Sequence, residues 1–214
     1  MVVIQYLTLV VIAVVVVAIL LRHRDAAGRA RILKLAGFTL MGIFVGSFAA
    51  FVIGDTLSDP GGWLALGPIA SWLVPMLAFA ALAWYRPDQA VRVFAVLIGL
   101  TTALAVWVAI DPHGWRSFED EHGPIRTIVV FTVSAAVALL GLKRTAAAGV
   151  LLLILAIPLL AASLGGGPGS AALLVASVPT ITTAILYLAS ASVASRSTPP
   201  RRSDAGPQEY PNAA

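Results

Sequence analysis

The sequence predicts an all-α protein, a polytopic bundle of transmembrane helices. Three observations carry that prediction. Hydrophobic residues make up 59% of the 214 positions and charged residues 11%, whereas a soluble domain carries about 25% charged residues. The apolar residues come in runs rather than amphipathic stripes, and runs of about 20 are what a helix needs to cross ~30 Å of hydrocarbon. The charges fall in the connectors between those runs, and the charged connectors alternate between basic and acidic.

The first run covers 2–21 and is rich in Val and Ile. A cleavable secretion signal begins with a positive segment and ends at a small-residue cleavage site. Here nothing basic precedes the run, and Arg22, Arg24, Arg29, Arg31 and Lys34 follow it. The expectation is a retained span with its N-terminus outside, because basic connectors stay on the cytoplasmic side. The basic stretch is expected to be an orienting loop, with a helix lying on the inner leaflet as the alternative.

The second span is expected at 36–54. Gly42, Gly46, Ala50 and Gly54 recur every four residues there, which places four small residues on one helix face. In lipid, close backbone approach over small residues is a main route to helix packing. This face is expected to be buried, by preference against another span of the same chain and otherwise against a second copy.

An acidic turn, DTLSDPGG, leads to the third span at 63–85, which contains Pro68 and Pro75. A tight basic turn with Arg86 and Arg92 leads to the fourth, at 91–110. The longest connector, 111–126, precedes the fifth span at 124–142. Lys143 and Arg144 form a basic turn before the sixth, at 145–164, and a glycine-rich uncharged turn precedes the seventh, at 170–193, where Tyr187 is expected towards the inner interface. The polar segment 195–214 is expected to form a disordered cytoplasmic tail. In this threading the inner segments hold 12 of the 14 Lys and Arg, and the outer segments 6 of the 10 acids. Seven spans follow, with the N-terminus outside and the C-terminus inside. One span plus two triples would permit an inverted repeat, but prolines and glycines do not align between the triples.

No acidic, basic or histidine residue falls in the middle of an expected span. Intramembrane ionisable groups mark proton relays and ion paths, so their absence argues against an ion-coupled pump. The chain has no cysteine, which removes disulfides and thiolate metal sites. No His-Glu-x-x-His helix, Gly-x-Ser-x-Gly turn or Walker loop occurs.

Two candidate sites remain. In the outer connector, Asp111, His113, Glu119, Asp120, Glu121 and His122 offer oxygen and imidazole ligands suited to zinc or manganese. Their spacing matches no established metal motif, and a solvated acidic loop is the plainer reading. Within the membrane, Ser71, Trp72, Thr101, Thr102, Thr180, Thr182 and Thr183 lie near kinked helices, where hydroxyls re-satisfy freed carbonyls. They could line a pocket for a lipid or small amphiphile, with ordinary helix packing the preferred reading.

The functional expectation is a non-enzymatic interaction or accessory protein, multi-pass in the cell membrane and bacterial by its Arg-, Ala- and Val-rich composition. Its partners are the lipid bilayer and other membrane proteins or itself, with no cofactor and no nucleic acid. A small permease or lipid-handling transporter is one alternative, and a membrane enzyme using the outer loop 111–126 is another.

Overall fold

The fold is described from a computed structural model over residues 25–58, 62–111, 125–164 and 170–197. Among these residues there is no strand. Six helices follow one another: α1 (Ala26–Thr56), α2 (Leu66–Tyr85), α3 (Pro87–Ile110), α4 (Ile125–Leu140), α5 (Thr145–Leu164) and α6 (Ser170–Ser197). A short 3-10 turn, Gly62–Ala65, leads into α2. Four helical stretches are long and apolar enough to cross a membrane: Ala26–Thr56, Gly62–Tyr85, Pro87–Trp107 and Ala176–Arg196. Two shorter apolar stretches, Val129–Leu140 and Thr145–Leu160, come from α4 and α5. The first apolar run, 2–21, lies outside the described residues.

The helix α1 departs from the expected boundary. Its first nine residues are most of the basic stretch 22–34, so 26–34 continues the helix instead of forming a loop. The local sequence accounts for this. The Asp25 side chain accepts a hydrogen bond from the Gly28 backbone N–H at 3.1 Å, an N-cap that satisfies one of the open donors of the first turn. Ala26, Ala27, Arg29, Ala30 and Arg31 then supply good helix formers. At the other end, the Leu57 backbone N–H closes the last turn on Ile53, Gly54 and Asp55 O, and the Thr56 and Ser58 hydroxyls donate to Val52 O and Gly54 O, each four residues back. Gly62, at the start of the 3-10 turn before α2, has φ 57°, a left-handed conformation that glycine adopts without steric cost.

The helix α3 starts on Pro87, where a missing N–H costs nothing. Pro75, Pro158 and Pro179 lie inside α2, α5 and α6, and each helix continues through its proline.

The centre of the bundle is α4. It packs against α1, α2, α3 and α5, and the outer helices follow one another around it as α1, α6, α5, α3 and α2. The seam between α1 and α2 is the most sparsely packed. Phe131, Val133, Ala136, Val137, Ala138 and Leu140 of α4 are all buried. Phe131 stacks on Phe48 with ring centroids 3.6 Å apart and on Phe44 at 5.0 Å. An inverted repeat equating α1–α3 with α4–α6 would match the α2–α4 contact with one between α5 and α1. No comparable packing joins α5 and α1 among the described residues.

Consecutive helices alternate in direction, so the start of α1, α3 and α5 and the end of α2, α4 and α6 share one end of the bundle. Side chains join the elements there. Lys34 Nζ donates to Leu142 O, Lys143 Nζ to Trp84 O, and the Ser190 hydroxyl to Ala30 O at 2.7 Å. Arg144 pairs with Asp88. Eight of the nine Lys and Arg in the described residues lie at this end, and Arg126 is the ninth. Asp55 and Asp111 lie at the opposite end.

Candidate functional site

Tyr187 of α6 is closely packed. Its side chain is fully buried, and its hydroxyl donates to Ala138 O of α4 at 2.6 Å. The ring fits only because two glycines face it. A Cβ added at Gly37 of α1 would stand 2.9 Å from Tyr187 Cε1, and one added at Gly141, just beyond α4, would overlap the ring. A third glycine, Gly149 of α5, faces α6 similarly, with Leu188 Cγ 2.9 Å from an added Cβ. Tyr187 is therefore a core residue joining three elements, at the end of the bundle that carries the 141–144 turn.

The buried stripe of α1 is Leu33, Gly37, Met41 and Val45. Gly42, Gly46, Ala50 and Gly54 are exposed, and a Cβ added at any of the three glycines meets nothing within 4 Å. Ala50 follows Met41 by ~2.5 turns at 3.6 residues per turn, which puts the small-residue face opposite the core. Both stripes repeat every four residues, and that period does not distinguish the two faces. The expected burial against another span is absent among the described helices.

The hydroxyl-bearing candidates do not converge on one pocket. Ser71 is exposed, and its hydroxyl donates to Pro68 O. Thr101 donates to Leu97 O, Thr102 to Ile98 O, Thr180 to Ala176 O and Thr182 to Val178 O, each four residues back on its own helix. Such bonds leave the hydroxyl turned to its own backbone. Two candidates do bridge helices. Trp72 Nε1 donates to Thr132 Oγ1 at 3.0 Å, linking α2 to α4 in the buried core, and Thr183 donates to Gly37 O at 3.3 Å, linking α6 to α1. Phe48 meets Trp72 edge-on at 6.4 Å. Thr132, Ser190 and the three core-facing glycines were not legible as packing residues, because a single sequence does not say which helix faces which.

The buried polar residues are all Ser or Thr among the described residues. One of them, Ser134 on α4, has a buried hydroxyl without a hydrogen-bond partner. Of the outer-connector candidates, Asp111 is the residue that ends α3. His113, Glu119, Asp120, Glu121 and His122 lie outside the described residues. Among the described residues no group of three or more His, Cys, Asp or Glu is placed to hold a metal ion.

No protein-family model, curated protein or solved structure matches this chain.

Proposed function

We propose that the protein is a seven-span bundle of the bacterial cytoplasmic membrane, N-terminus outside and C-terminus inside, that acts as a non-enzymatic interaction or accessory component. The observation that carries this reading is the state of the interior. Trp72, Thr132, Thr183, Tyr187 and Ser190 are engaged in bonds between helices, and Thr101 and Thr180 in bonds within their own. No buried side chain among the described residues is ionisable at neutral pH. Proton relays and ion paths are built from intramembrane ionisable groups, and this core offers none. What distinguishes the molecule is its perimeter, where large apolar side chains such as Phe51, Val96, Leu100 and Ile157 are exposed, as lipid or a partner helix requires.

The clustering of basic residues at one end supports the orientation. Cationic connectors are retained on the cytoplasmic side, which favours the 141–144 turn inside and Asp55 and Asp111 outside. The fixed hydroxyls also weigh against the permease reading, since a pathway needs polar groups free to exchange partners.

Photocrosslinkers placed singly at Phe51, Leu100 and Ile157 in intact membranes test the reading. A defined protein adduct confined to one face supports it. Lipid adducts at every position, together with solute flux in reconstituted vesicles that Trp72→Ala abolishes, would replace it with the permease.

A further inference from the structure

The outer face of α1 is an apolar surface that no described element covers. It runs through Leu35 and Ile43, which are 45% and 65% exposed, with Gly42, Gly46 and Ala50 forming notches beside them. We infer that this face is the docking surface for the chain's own first apolar run, 2–21. The inference rests on the reading of the bundle as bilayer-spanning.

The length of the connector carries it. Four residues, 22–25, separate the run from the start of α1. From Leu21 to Ala26 the chain makes five Cα steps, which reach at most ~18 Å at ~3.6 Å each. Packed helices sit ~8–10 Å apart. Matching both spans in depth brings Leu21 level with Ala36, ~15 Å along α1 at 1.5 Å per residue. A lateral step of ~9 Å combined with that rise uses ~17 Å. The connector thus reaches a position beside α1 and falls short of a position one helix further away.

The flanks of α1 are already taken. The helix α6 packs along its Leu33–Gly37–Met41–Val45 stripe, and α4 meets it through Phe44 and Phe48. The face opposite these contacts is the one still open. The chemistry of the run suits it. Twenty residues span ~30 Å, and the run is dominated by Val and Ile, whose single preferred rotamer in a helix makes a stiff ridge. Bulky ridges seated in glycine notches permit close helix approach in lipid.

The absence of cysteine from the sequence gives a direct test. Ser47 is exposed on this face, and Ser47→Cys changes one atom. In the full chain in native membranes, Ser47→Cys is combined with single cysteines at successive positions from Leu7 to Val17 and oxidised. The expected result is a disulfide at monomer mass, at positions recurring every three to four residues, with loss of labelling by a maleimide polymer at both thiols. A disulfide at dimer mass from Ser47→Cys alone would overturn the inference in favour of a second copy. Absence of any disulfide, with Ser47→Cys labelled by a lipid-soluble maleimide, would overturn it in favour of bare lipid. Resistance of the protein to alkaline extraction is read on the same membranes. Retention without a disulfide overturns the docking alone, whereas extraction overturns the bilayer-spanning reading.

Discussion

The hydroxyl of Tyr187 donates to the backbone carbonyl of Ala138 at 2.6 Å, and its ring occupies the space that a side chain at Gly141 would need. One aromatic residue on α6 thereby fixes the end of α4, and Gly37 on α1 closes the other side of the ring. This end of the bundle is also where Lys34, Lys143 and Arg144 tie the 141–144 turn to its neighbours.

Gly141→Ala is expected to destabilise the protein by ~1–3 kcal/mol, the usual range for overpacking a filled core. Gly99→Ala is the control. A Cβ there meets nothing within 4 Å, and the loss of a helical glycine stabilises by up to ~1 kcal/mol. Thermal unfolding in mild detergent should therefore shift in opposite directions for the two variants. Equal shifts would refute the packing of the Tyr187 ring.

Trp72→Phe and Thr132→Val each break the buried bond between α2 and α4. Their effects should be non-additive, with a coupling of ~0.6 kcal/mol, the average for hydrogen bonds between membrane helices. A double-mutant cycle on unfolding in denaturing detergent measures it. Strict additivity would show that the bond contributes nothing.

Ser134→Ala removes a buried hydroxyl that has no partner. Leaving such a group buried costs about 1–3 kcal/mol, so the variant should be at least as stable as the parent. A loss above ~1 kcal/mol would mean that the hydroxyl holds a ligand or a water.

The Arg144–Asp88 pair is 51% and 74% exposed on its two side chains. Exposed pairs contribute ~0–1 kcal/mol and are screened by salt. Asp88→Asn should accordingly change the unfolding temperature little and abolish what salt dependence it has. A large loss of stability would place this pair in a tighter setting.

Zinc calorimetry on the parent and on a His113→Ala, His122→Ala double variant should give the same null titration, as expected of a solvated connector. Heat that disappears in the double variant would establish a metal site in 111–126.

The helical class and most of its boundaries were legible in the sequence, because run length and charge placement are local properties. The sixth span was expected at 145–164, and α5 occupies Thr145–Leu164. A helix in the basic stretch was only the alternative reading, and α1 begins at Ala26. Five basic residues read as a loop, although the Asp25 cap and the alanines favour a helix. The packing faces were harder to read. Gly42, Gly46, Ala50 and Gly54 share their four-residue spacing with Leu33, Gly37, Met41 and Val45. In a helix hydrophobic all round, no polar side marks the outside. The contacts of Gly37 and Gly141 with Tyr187 depend on helices brought together by tertiary packing, which no local pattern encodes.

The central claim is that the bundle crosses a bilayer with its basic end in the cytoplasm. Labelling of single cysteines on intact cells with a membrane-impermeant maleimide tests it most directly, with Gly28→Cys at the basic end and Leu57→Cys at the other. The account predicts that Leu57→Cys reacts at once and that Gly28→Cys reacts only after the cells are permeabilised. Reaction of both in intact cells, or of Gly28→Cys alone, would contradict it.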